Sequence, residues 1–172
     1  MLFRSAGALV VDAPWPGNPG VEIVGDAPAA TLETVSEAPA SAYEALRVEC
    51  GIPEQGAELD DSIIAQEAGL EVGAVSFTKG CFVGQELVCR IDSRGHVNRL
   101  LRGIVLAGAD RPEPGASITV DGKVVGAVTS VARSPRHGVV ALGLVRREVE
   151  PPAACVVADG LSAEVRELPL SQ

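Results

Sequence analysis

Residues 79–86 read Lys-Gly-Cys-Phe-Val-Gly-Gln-Glu, which puts a thiol, an ammonium, an amide and a carboxylate into one short stretch. Lys79 is one of only two lysines, with Lys123, and it stands two residues before Cys81. A nearby positive charge stabilises a thiolate relative to a thiol. Gly80 and Gly84 permit backbone conformations that a Cβ would block. With Thr78 as cap, a helix or turn carrying the octapeptide runs to about Asp92. That places Cys81 in the first turn, where the helix dipole adds to the effect of Lys79. Such a thiol could be a nucleophile, a metal or cluster ligand, or a persulfide carrier, with Cys81 and Lys79 as the reacting pair. The same residues also suit a plain turn entering a helix, with Cys81 a small buried apolar side chain. Gln85 and Glu86 could grip the amide edge of a heterocycle, or simply be favourable residues at a helix start.

The other candidates carry less chemistry. Cys89 lies eight residues after Cys81, so on a continuous helix the two would sit roughly 80° from a common face and share a metal poorly. No Cys-x-x-Cys occurs, and His96 and His137 are distant in sequence, which argues against a structural zinc. Neither histidine has a spacing to Cys81 that marks a Cys–His hydrolase. Cys50 and Cys155 read as core thiols. Glu54, Glu58, Asp60, Asp61, Glu67 and Glu71 form an acidic run without an EF-hand register, and it reads as a solvated loop face.

The bulk of the chain narrows the class. It has 172 residues, 47% hydrophobic and 3% aromatic, with a net charge of −9. It can bury real cores, built from Val, Leu, Ala and Ile. So few aromatics and so acidic a balance disfavour direct nucleic-acid binding and anionic membranes. Arg90, Arg94, Arg99 and Arg102 could make a local basic patch, but they read better as a solvated helix face and strand edge. No apolar run is long enough to span a bilayer. Four scattered cysteines suit free thiols in a reducing cytoplasm.

These residues must be positioned by a modest set of elements. Strands are expected over 7–11 and 21–24, with a Pro/Gly turn from Asp12 to Gly20 between them. Asp26 can cap a short helix ending before Pro39. Ser41-x-x-Glu44 is a capping-box pattern that opens a second helix, stopped near Gly51 with Pro53 following. Tyr43, Leu46 and Val48 give that helix only a partial apolar stripe. After Asn98 the pattern changes to short Val/Leu/Ile runs: 100–106, 117–120, 123–131, 139–145, 154–157 and 161–168. Asp121-Gly122 is a strong hairpin signal. Six such strands imply a small antiparallel barrel or sandwich. The fold class is α+β, with residues 1–97 as an α/β part and residues 98–172 as a β-barrel.

Lys79–Glu86 resembles the Lys-Gly-Cys-[Phe/Tyr]-x-Gly-Gln-Glu motif of the YgfZ-like folate-binding proteins, within the glycine-cleavage T-protein (aminomethyltransferase) superfamily. Leu46-Arg-Val-Glu-Cys-Gly-Ile-Pro53 is similar to that superfamily's Leu-Arg-x-Glu-Ala-Gly-x-Pro segment, and Ile64-Ala-Gln-Glu-Ala-Gly-Leu70 to its Pro-x-Glu-x-x-Leu segment. Val125–Ser130 and Gly138–Val145 resemble its terminal barrel. The resemblance implies that residues 1–97 are part of a folate-binding domain, with tetrahydrofolate as cofactor. It implies a role in assembling or repairing iron–sulfur clusters, with cluster clients or assembly proteins as partners and an indirect effect on tRNA modification. Cys81 would be the working residue, and Arg47 would hold a folate carboxylate in a guanidinium fork. A folate-dependent aminomethyltransferase and a non-catalytic interaction module are the alternatives. Some positions depart from the superfamily. Asn18 stands where aminomethyltransferases carry a pterin-binding glutamate, Gln55 where they carry a tyrosine, and their catalytic aspartate has no counterpart. The chain would then begin inside the folate domain, and a second copy could cover the exposed folate face.

Overall fold

A computed structural model of the chain describes residues 2–5, 8–26 and 35–170. Three short strands, β1 (Leu2–Ser5), β2 (Ala8–Asp12) and β3 (Val21–Val24), pair antiparallel in the order β1-β2-β3. β2 and β3 match the expected pair, whereas β1 was not foreseen. Between β2 and β3, Trp15 and Asn18 close a tight turn by reciprocal backbone hydrogen bonds. The short helix expected between Asp26 and Pro39 falls mostly on residues 27–34, outside the described residues, and residues 35–38 are not helical.

Helix α1 (Ala40–Cys50) ends as its sequence dictates. Gly51 adopts φ 72°, and Ile52 N–H donates back to the Arg47 carbonyl. Its start differs from expectation. Pro39 is the N-cap, no side chain caps the helix, and Ser41 already lies inside it. The capping box is not used because Glu44 is turned to Arg47 instead.

The barrel follows. Its strands are β4 (Arg99–Leu106), β5 (Ser117–Val120), β6 (Lys123–Ser134), β7 (Gly138–Arg146), β8 (Ala153–Val157) and β9 (Leu161–Arg166). They close in the order β4-β7-β6-β5-β8-β9, with β9 pairing back onto β4. Asp121 and Gly122, at φ 49° and 75°, make the two-residue turn between β5 and β6. That pair of positive φ values fits the right-handed twist of a hairpin.

β7 explains how the helical part is joined to the barrel. Its buried run Val139–Val145 alternates between two cores. Val139, Ala141 and Val145 point inward with Ile104, Ile118 and Val157. Val140, Leu142 and Leu144 point outward against Ala45 and Val48 of α1, together with Leu101, Ala132 and Leu170. A strand covered on both faces reads as a continuous apolar run rather than an alternating one. Each fully buried Ile or Leu here contributes about 1.5–3 kcal/mol relative to exposure. A register shift at Thr129 in β6 reverses the facing of the residues after it. Val128 therefore belongs to the inner core, while Ser130, Ala132 and Ser134 are turned outward toward the α1 side. Without that extra residue Ser130 would point into the barrel.

Candidate functional site

The octapeptide is a loop with a helix behind it. Helix α2 spans Gln85–Arg94 and has Gly84 as N-cap. This corrects the expectation that Thr78 caps a helix containing Cys81. Gly80 and Gly84 take φ values of 93° and 85°, a region that side chains resist, so the chain cannot be helical through them. Cys81 therefore stands before the helix, not in its first turn, and the dipole argument lapses.

The loop is folded on itself by three contacts. Phe82 N–H donates to Gln85 Oε1 at 3.1 Å, and Gln85 N–H donates to the Phe82 carbonyl at 3.2 Å. Lys79 Nζ lies 5.6 Å from the centre of the Phe82 ring, a cation–π distance. Gln85 thus shapes the loop through its oxygen and has its Nε2 left over. Cys81, Lys79 and Glu86 are exposed, and Val83 is fully so. A shallow hollow of about 410 Å³ is lined by Phe82, Gly84, Gln85, Glu86, Leu87 and Arg90. From the chain before it, α2 is held by Gln66 Nε2, which donates to the Val88 carbonyl at 2.8 Å. Cys89 is exposed, whereas Cys50 and Cys155 are buried, as expected. Burial pushes the Cys155 thiol up to about 11. Burial also raises that of Cys50, against a hydrogen bond from Asn18.

Arg47 is elsewhere and differently employed. It is 2% exposed. Nε and Nη2 clasp Glu44 at 3.0 and 2.6 Å. Nη1 donates to the Ile52 carbonyl at 2.8 Å and to Glu58 at 3.0 Å, and Nη2 also donates to Ser130 Oγ at 2.6 Å. Ser130 in turn donates to the other oxygen of Glu58 at 2.6 Å. A guanidinium has five N–H groups, and all are engaged. Burial alone would lower the Arg47 pKa, but the bonds to Glu44 and Glu58 outweigh it and raise it. The expected folate-carboxylate contact is therefore corrected: Arg47 ties α1, the 52–58 turn and β6 together and has no donor to offer a ligand. Asn18, at the expected pterin position, donates to the Pro16 carbonyl and to Cys50 Sγ. It too is used internally.

The acidic run is also not a uniform solvated face. Glu58 is wholly buried in the Arg47 network, and buried Glu67 pairs with Arg99 through two 3.0 Å bonds. Arg102 pairs with Glu167. Sequence reasoning missed the roles of Glu58 and Ser130. The only local signal was Glu58 eleven residues after Arg47, and nothing in the sequence announces the bulge that aims Ser130.

Comparison with known proteins fits this geometry. Residues 99–169 match the glycine cleavage T-protein C-terminal barrel domain. The chain is 39% identical over 101 residues to an aminomethyltransferase of Streptomyces avermitilis, covering 57% of this chain and 27% of that one. It is 40% identical over 88 residues to the mitochondrial iron–sulfur cluster assembly factor IBA57 homolog of Chaetomium globosum, covering 50% and 20%. To the tRNA-modifying protein YgfZ of Escherichia fergusonii it is 29% identical over 133 residues, covering 74% and 41%. The chain thus spans well under half the length of these relatives. The glycine cleavage system aminomethyltransferase T of Bartonella henselae shares the fold, with a TM-score of 0.78 at 22% identity over 96% of this chain and 50% of that one. Residues 99–169 thus carry the C-terminal barrel domain of the glycine cleavage T-proteins, and the chain is similar to members of that superfamily.

Proposed function

We propose that this chain is a thiol-bearing accessory factor in the assembly or repair of iron–sulfur clusters, working in the cytoplasm and touching tRNA modification only through cluster-dependent enzymes. One observation carries the reading: the motif thiol, Cys81, stands exposed on a loop whose glycines, Lys79–Phe82 contact and Gln85 bond hold its shape. A sulfur so placed can reach a metal or cluster on a client protein, which the buried Cys50 and Cys155 cannot. The relatives named for iron–sulfur assembly and for tRNA modification support it. In this reading residues 1–97 supply the thiol loop and residues 98–172 supply the barrel against which α1 is fixed.

Tetrahydrofolate is the small molecule the resemblance suggests. Arg47 does not fit it, because every donor is already committed, and we route no step through folate. Gln85 Nε2 and the Glu86 carboxylate, which border the hollow beside the loop, remain its candidate contacts. Aminomethyl transfer is the competing reading, favoured by the named aminomethyltransferases. It requires an acid–base group at the reacting nitrogen. The test is to express this chain in cells lacking a YgfZ-type protein and to measure the activity of a cluster-dependent tRNA-modifying enzyme. Restored activity is expected. No restoration by the stably expressed chain, together with turnover of an aminomethylated carrier protein, contradicts the proposal.

A further inference from the structure

α1 covers β6 only in part. Beside it, where β6 runs on toward the 134–138 turn, lies a cleft of about 820 Å³. Its walls include Arg111, Arg133 and Arg136, with Ser41, Glu49 and Ser134. No residue of the thiol loop or of α2 lines it, so it is a separate site.

Three features of the cleft are unusual for a chain with 23 acidic against 14 basic residues. First, Arg111 and Arg133 are held by reciprocal tethers. Arg111 Nη2 donates to the Val131 carbonyl at 2.9 Å, and Arg133 Nη2 donates to the Ala109 carbonyl at 3.2 Å. Each spends one of its five N–H groups this way. Neither makes an ion pair among the described residues, so two positive charges are fixed near each other without a carboxylate. Second, Ser41 and Ala42 bring the first turn of α1 to the cleft, and that turn has no acidic residue and no side-chain cap. The N–H groups of Ala42 and Tyr43 donate to the Pro39 carbonyl, and no acidic side chain of that turn offsets the positive dipole end. Third, Glu49 is 2% exposed, yet its Oε2 accepts no hydrogen bond. Among the described residues its one ionic contact, Arg136 Nη2 at 3.3 Å, lacks hydrogen-bond alignment. A buried carboxylate oxygen without a donor costs free energy unless something supplies one.

We propose that this cleft binds a small organic anion. Its carboxylate or phosphate sits against Arg111, Arg133 and the α1 N-terminus, and its own N–H or O–H donates to Glu49. The two arginines and the helix end supply the attraction, and Glu49 supplies selectivity for a ligand that carries a donor.

The test is a titration of the full chain, followed by amide NMR at low ionic strength, where screening is weak. The probes are L-glutamate and inorganic pyrophosphate, each up to about 10 mM. Saturable shifts at Ser41, Ala42 and Ser134 are expected with at least one probe, and which one responds separates the carboxylate from the phosphate class. Affinity should fall about tenfold or more in Arg111→Gln/Arg133→Gln, and be kept in Arg146→Gln/Arg147→Gln at another face of the barrel. Ser41→Asp provides a second variant that suits a helix start and so retains the fold, and it should weaken binding similarly. No saturable shift with either probe overturns the site. So does unchanged affinity in the Arg111/Arg133 variant or, should that variant not fold, in Ser41→Asp.

Discussion

At the scale of single residues, the two positively charged candidates part company. Lys79 stays at the surface beside Phe82, whereas Arg47 is sealed in a network with Glu44, Glu58 and Ser130. Removing Arg47 would leave the buried Glu58 charge uncompensated. Arg47→Ala is expected to lower the free energy of unfolding by about 3–5 kcal/mol, read from urea titration. Glu58→Gln should cost less, because the amide keeps a hydrogen-bonding oxygen for Nη1. The four thiols divide just as sharply. An aromatic disulfide reagent should label Cys81 and Cys89 rapidly in the native protein, and Cys50 and Cys155 only in denaturant. Labelling of all four thiols without denaturant would contradict the burial described. That Lys79, Cys81 and Gln85 share one local stretch was legible from the sequence, because they lie within one octapeptide. The fate of Arg47 was not. Whether a guanidinium serves a ligand or a core depends on Glu58 and Ser130, which only folding brings to it.

At the scale of elements, the barrel strands were readable, whereas β1 and the helix starts were not. The barrel strands announced themselves by apolar runs between Gly, Pro and Asp turns, and Asp121-Gly122 marked its hairpin directly. Both helix starts went astray for one reason: Ser41 and Thr78 look like caps, but capping is decided by backbone geometry. Pro39 fixes the entry to α1, and the positive φ at Gly80 and Gly84 delays α2 until Gln85. The register shift at Thr129 left no trace in the sequence, yet it sets which face of β6 meets α1. Glycines give a direct test of the strand packing. A Cβ on Gly126 would land on the Leu144 carbonyl oxygen of the paired strand, which cannot move aside. Gly126→Ala should therefore destabilise by about 1–3 kcal/mol or more. Gly103→Ala should cost less, since its Cβ would meet the side chains of Leu170 and Leu168, which can rotate away. Thermal unfolding of both variants, ranked against the parent chain, checks the order.

At the scale of the whole molecule, the division of labour is between a fixed body and a presented loop. Two cores meet on the two faces of β7, so α1 and the closing segment at Leu168 and Leu170 are part of the barrel's outer packing. α2 makes no comparably dense contact with any described strand or with α1. Stability resides in the first and the proposed chemistry in the second, so a change at an exposed thiol should leave folding within about 0.5 kcal/mol of the parent. The superfamily was legible from the octapeptide and the order of the segments around it. The use to which this chain puts the fold was not, because Asn18 and Arg47 are both engaged internally. The central claim is that Cys81 is the working group. It is tested most directly by comparing Cys81→Ser and Cys89→Ser with the parent chain, at matched expression, for restoring a cluster-dependent enzyme in cells lacking a YgfZ-type protein. Loss of restoration with Cys81→Ser alone is the predicted result, and full restoration by Cys81→Ser would contradict it.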